Sequence, residues 1–280
     1  MANMKYAVGQ PFQAQSYLRG DFFNPTSALL NSGAQGGSLA TTNPVSNVID
    51  EHLVKTLRCD SWTTDLNIGF DLGASVEPAG VLIENLNFAT TISVISATNA
   101  ALTTSVITEG TPTPVQNKKT GRWSCFADLG SVTARQYWGI RITTTGSAVS
   151  GVEHTTGWQV GRITWVDTLS TMSQNWHLPV GQATQYEGAQ RVLAGGKMES
   201  KASSQGFNVI DLTAQFDRNK GDNIEDDIGA MARTSPEDRY LTWFNRGDVS
   251  EAYLCTKIDF SGNLDEFPAI SVDMGLREVV

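Results

Sequence analysis

Three histidines, three cysteines and 29 Asp/Glu side chains are the groups from which this 280-residue chain could build a chemical site. His52, His154 and His177 are far apart, and none belongs to a metal-ligand spacing; each reads as a surface or turn residue. No GxSxG, HExxH or Walker A stretch occurs, and no GxGxxG follows a strand. Cys59, Cys125 and Cys255 are widely spaced and odd in number, without a CxxC pair. That argues against a disulfide framework or a zinc site and reads as small apolar residues in a core. The stretch "DRNKGDNIEDDI" (217–228) opens like a calcium loop with Asp217 and Asn219. Its Gly221 falls at position 5 rather than 6, and position 12 is Ile228 rather than Glu, so a turn before a capped acidic helix explains it better. Carboxylates paired by folding could form a glycosidase site, but no local signal marks one. No cofactor is implied.

Binding chemistry has more material. Seven tryptophans are present, and an aromatic face stacks on the apolar side of a pyranose ring. Trp138 shares a strand face with Ile140 and Ile142 and belongs to a core. Trp62 and Trp158 stand in turn-flanked positions and are the better candidates for glycan contact. Tyr137 and Arg141 lie on the opposite face of "RQYWGIRIT" and are candidates for a glycan or subunit interface, set against an ordinary solvated face.

The elements that must position these residues are strands. "LNIGFDLG" (66–73), "GVLIENLNF" (80–88), "ATTISVISA" (89–97), "RWSCFADLG" (122–130), "RQYWGIRIT" and "GWQVGRITWVDTL" (157–169) follow one another between Gly, Pro and Thr turns. This spacing predicts a β-sandwich or barrel over 46–170. "FDLGASVEPAGVLI" and "FADLGSVTARQYWGIRI" share Asp-Leu-Gly between two strands, which predicts one hairpin-type turn used twice, with Gly73 and Gly130 permitting it. Residues 1–45, with "NSGAQGGSLATTNP", lack periodicity and read as an extended arm.

Past a boundary near 170–180 the texture changes. "AQRVLAGGKMES", "QGFNVIDLTAQFDR", "AYLCTKIDF" and "PAISVDMGLREV" read as further strands. Asp222 with Glu225 forms a capping-box pattern, and Ile224, Ile228 and Met231 then give a helical stripe. Ser235, Pro236 and Asp238 mark the start of a second short helix. The region 171–280 is therefore expected to be a second β-rich domain with one or two short helices. It also carries most of the net charge of −9. No basic patch stands out, which argues against direct nucleic-acid binding. No apolar run is long enough to span a membrane. The start "MANMKYAVGQPFQAQ" lacks an apolar signal core, so residence in a cytosol, or release from one by lysis, is expected.

Together "NPVSNVIDEHLVKTLRCDSW", "LNIGFDLG", "VLIENLNF", "RQYWGIRIT" and "GWQVGRITW" resemble two things. One is the discoidin-like, galactose-binding jelly roll, whose aromatic-x-x-Ile/Arg-Ile strand and closing strand would be Tyr137–Ile142 and Gly161–Trp165 with Arg162. The other is a family of tailed-bacteriophage minor tail or baseplate proteins with such a jelly roll in the first half. Its pattern is matched by Asn43–Asp50, the Asp-Leu-Gly turn and the Gly-Arg-Ile-aromatic strand; "QGFNVIDLTAQFDR" and "SVDMGLREV" resemble its tail-docking half. The resemblance covers most of residues 43–280 and carries over no ligand residue. It implies a jelly roll over 46–170, a docking domain over 171–280, and a structural virion component in the tail, assembled in the host cytoplasm. The implied partners are other copies of itself, other tail or baseplate proteins, and host-surface glycans. A free, lectin-like carbohydrate-binding protein is the alternative, and a glycan depolymerase a third reading.

Overall fold

The structure is a computed structural model that describes residues 4–9, 21–23, 25, 27–30, 41–62, 65–117, 120–142, 146–172, 181–192, 198–217, 239–246, 249–263 and 269–279. Over these residues the regular structure is almost wholly antiparallel β. The helix expected from Asp222, the calcium-like loop from Arg218 onward and the start of the helix expected at Ser235 lie outside them; over Arg239–Arg246, where that second helix would run on through "RYLTWFN", the chain is a strand instead. The helical segment that is described is a 3-10 turn, Val45–Ile49.

Two five-stranded sheets form a sandwich. One runs β3 (Ala28–Leu30), β6 (Leu66–Val76), β12 (Arg135–Ile142), β8 (Ser93–Ala97), β9 (Ile107–Gly110). The other runs β10 (Val115–Gln116), β11 (Trp123–Asp128), β7 (Gly80–Leu86), β14 (Ile163–Val166), β2 (Phe22–Phe23). Ile68, Phe70, Val94, Trp138 and Ile140 from the first meet Val81, Ile83, Cys125, Ile163 and Trp165 from the second in one core. The alternation in β12 is what a strand with one buried face requires: Trp138, Ile140 and Ile142 are buried, while Tyr137 and Arg141 are half-buried. A small sheet of β4 (Thr41–Asn43), β5 (Leu57–Cys59) and β13 (Gln159–Val160) adds Leu57, Cys59 and Val160 to the same core.

Beside the sandwich lies a seven-stranded sheet. Its order is β15 (Ser170–Thr171), β1 (Lys5–Gly9), β18 (Arg239–Arg246), β19 (Val249–Asn263), β20 (Ala269–Glu278), β17 (Met198–Asp217), β16 (Gly181–Val192). Ala7, Leu241, Ala252 and Leu254 from this sheet pack against Phe22, Leu82 and Val166 of the second sandwich sheet. The molecule therefore has three layers, with β7 in the middle one. That is why "GVLIENL" does not alternate: Val81, Leu82, Ile83 and Glu84 are all buried.

Two expectations are corrected. The first 45 residues are not an arm over their described parts. Lys5–Gly9 is a full strand of the large sheet, pairing with β18 from Lys5↔Trp243 to Gly9↔Arg239, and Met4, Tyr6 and Ala7 are buried. Strands β2, β3 and β4 likewise pair with β14, β6 and β5. Burying apolar residues and pairing backbone groups outweighs the disorder that the composition favours. Nor do the Asp-Leu-Gly echoes make hairpins. The second lies where the chain crosses between the sandwich sheets, from β11 to β12, whereas the first lies within β6, before the crossing to β7. Gly130 (φ 60°) sits in the second crossing, but Gly73 (φ 84°) sits inside β6, where the register with β12 slips between Arg135 and Tyr137.

Candidate functional site

Two places bring the candidate residues together. The first is the loop end of the sandwich. Trp158 is fully buried, with ring centroids 4.8 Å from Trp62 and 5.0 Å from Phe88, both edge-to-face. Two glycines let the loops close on it. A Cβ on Gly146 would come within 2.3 Å of the Trp158 ring, and one on Gly157 within 2.2 Å of the Cys59 carbonyl. Asn87 ties the loops: its Nδ2 donates to the His154 and Gly157 carbonyls at 2.8 Å, and its Oδ1 accepts from the Gln159 amide at 2.8 Å. His154 Nε2 stands 2.8 Å from the Cys59 carbonyl, which can only accept, so that nitrogen carries the proton. Trp62 is half-buried and donates from Nε1 to the Thr155 carbonyl at 2.9 Å. Trp158 is thus corrected from a stacking platform to core: it has no ring face left for a ligand. Trp62 keeps part of its surface.

The second place is the outer face of β12. Arg141 donates from Nε to Asn67 Oδ1 at 2.7 Å and from Nη2 to the Leu102 carbonyl at 2.9 Å. Tyr137 packs with Ile95, Ala97, Leu102 and Val106. The loop 98–106, between β8 and β9, folds down over this face. Asn99 holds it, its Oδ1 accepting from the Thr103 and Thr104 amides at 3.0 and 2.9 Å. Leu102 is 1% exposed and sits at φ 55°, a conformation a branched side chain avoids. Its side chain fills the space over Gly139, where an added Cβ would stand 2.3 Å from Leu102 Cδ1. The Tyr137–Arg141 face is covered by the chain's own loop, and Arg141 spends two donors holding that loop.

Sequence reasoning missed a buried ion pair within the middle layer. Arg162 Nε donates to Glu84 Oε2 at 2.7 Å, both side chains buried, and Nη1 donates to the Glu51 carbonyl at 2.8 Å. Glu51 also pairs with Arg239 of β18, and Arg122 pairs with Glu278 of β20, so charges bridge the sandwich and the large sheet. Gly161 lets the chain pass close to β7, since a Cβ there would meet the Glu84 carbonyl at 2.8 Å. The signal was present as "GRITW", a glycine and a charge inside an apolar strand.

Among the described residues no group of three or more His, Cys, Asp or Glu gathers as a metal site. The three thiols are buried, and burial raises all of them; Cys59 is pushed up to about 12. At Cys255 the carboxylates of Glu278 and Glu84 add to the rise. Such thiols are packing groups, not nucleophiles. No helix among the described residues is long and apolar enough to cross a membrane. No protein family, curated protein or solved structure matches the chain.

Proposed function

We propose that this chain is a non-enzymatic structural component of a tailed-phage virion, in the tail tip or baseplate, assembled in the host cytoplasm. In this reading residues 46–170 are a galactose-binding-like jelly roll and 171–280 a docking domain. The protein acts through contacts with its own copies and with other tail proteins. One observation carries the structural role. Among the described residues, Trp158, Arg141 and Arg162, three of the side chains with binding chemistry, are consumed by internal packing and by hydrogen bonds within the sandwich. A molecule built this way offers edges and surfaces rather than a reactive cleft. The tail location itself rests on the resemblance of residues 43–280.

Immunogold electron microscopy of particles, with antibody against this chain, tests it. Gold at the tail end is the expected result. Gold on the head keeps a virion role and rejects the tail. Unlabelled particles, with the protein soluble in the lysate, reject both. The half-buried Trp62 at the loop end favours one second reading, a free carbohydrate-binding protein. A glycan array would support it if one glycan class bound and Trp62→Ala abolished that binding.

A further inference from the structure

The large sheet has two unlike edges. At one, β15 is two residues long and covers only Lys5 and Tyr6 of β1. Asp21 closes the next stretch: its Oδ2 accepts from the Val8 amide at 3.0 Å, and its own amide donates to the Val8 carbonyl at 3.0 Å. At the other edge stands β16, twelve residues long. Among the described residues its outer side has no partner strand. Its sequence, "GQATQYEGAQRV", holds neither proline nor lysine, the residues that usually blunt an edge.

The support beneath β16 is also thin. β20 pairs with β17 only from Val209 to Asp217. Over Met198–Asn208, β17 pairs with β16 alone, so the two form a ribbon of roughly 35 Å at about 3.3 Å per residue. A two-stranded ribbon is marginal in water without further partners. The irregularity in this pair does not blunt the edge. It places Ser203–Gln205 of β17 opposite the single residue Glu187, so the added residues are in β17.

We infer that β16 is the contact edge for a second copy of this chain, the two β16 strands running antiparallel about a two-fold axis to make one continuous sheet. Among the described residues one edge is open and the other is covered, so copies of this chain cannot extend head to tail, which needs both edges. Between copies, the open edge then pairs with its own like, and that is the isologous arrangement. Charge sets the register. With the axis at Ala189, Glu187 of each copy stands opposite Arg191 of the other, whereas an axis at Glu187 would oppose like charges.

Single cysteines placed along β16 in the full chain test this, because the three native thiols are buried. Mild oxidation is expected to give a covalent dimer, most from Ala189→Cys, where opposed Cα atoms fall within disulfide reach. Light scattering is expected to give twice 30.3 kDa for the unmodified chain. Ala189→Lys is expected to weaken the dimer about fivefold or more while leaving the melting temperature of the monomer unchanged. A chain that stays monomeric with no cross-link along β16 overturns the inference. So does a dimer that Ala189→Lys leaves intact and that no β16 cysteine traps. The inference stands apart from the virion reading, since particles without gold would leave this dimer untouched.

Discussion

Single residues decide how much of this surface is available for binding. Trp158 looked exposed because Gly157 precedes it and turn residues surround it; the loops close over it because Gly146 and Gly157 lack side chains. Trp158→Ala is expected to cost about 3–5 kcal/mol in urea unfolding, as for a large aromatic lost from a core. Trp62→Ala should cost clearly less, and equal losses would contradict the assignment of one to the core and the other to its rim. At Gly139 a methyl group meets both Leu102 Cδ1 and, at 2.9 Å, the Ile68 carbonyl. Gly139→Ala is expected to destabilise by about 1–3 kcal/mol. Adding Leu102→Ala should recover only part of this, because the backbone oxygen does not move away, and strict additivity in the double-mutant cycle would argue against the contact. A glycine in the middle of "RQYWGIRI" was the legible trace of this close approach; the residue that fills the space was not, since it comes from a loop 37 positions upstream.

At the scale of elements, period-two patterns were readable and partners were not. β12 announced its buried face through Trp138, Ile140 and Ile142. β7 announced burial on both faces through the consecutive apolar residues Val81, Leu82 and Ile83, a signal explained by the third layer covering Leu82. Within the middle layer, neighbouring strands are also tied by the buried pair of Arg162 and Glu84. Arg162→Met removes one member of a buried pair and leaves Glu84 uncompensated, so a loss of about 3–5 kcal/mol is expected, whereas Glu84→Leu together with Arg162→Met should recover most of it. Thermal denaturation of the single and double variants would show this, and a double variant as weak as the single would refute it. The closed edge of β1 has a pH signature. Burial raises the Asp21 carboxyl above its usual range and nearby Asp167 adds to that, while the Val8 amide opposes it. A raised carboxyl favours the fold when protonated, and that contribution is lost as pH rises through its folded value. Asp21→Asn is therefore expected to melt higher than the parent at pH 7, the difference shrinking as pH falls toward about 4. A variant melting lower at pH 7 would mean that the ionised carboxylate is the stabilising form.

For the whole molecule, the sequence predicted two β-rich parts in series, and the strands do fall into a sandwich and a large sheet. The parts are not separate in the chain, because the large sheet holds Lys5–Gly9 between β15 and β18. Nothing in "KYAVG" names a partner that lies across almost the whole sequence, and long-range pairing of this kind leaves no local mark. That pairing has a consequence for synthesis. A ribosome adds about 5–20 residues per second, so β1 is made roughly ten to fifty seconds before β18 exists to receive it. Over that interval the sandwich face carrying Leu82 and Val166 has no cover from Leu241, Ala252 and Leu254. A chain released before Arg239 keeps that face bare and is expected to collect in the insoluble fraction, while the full chain is recovered in solution. The nascent protein thus carries its own check: only a chain synthesised through Leu254 can seat Lys5–Gly9 beside its partner strand and cover that face.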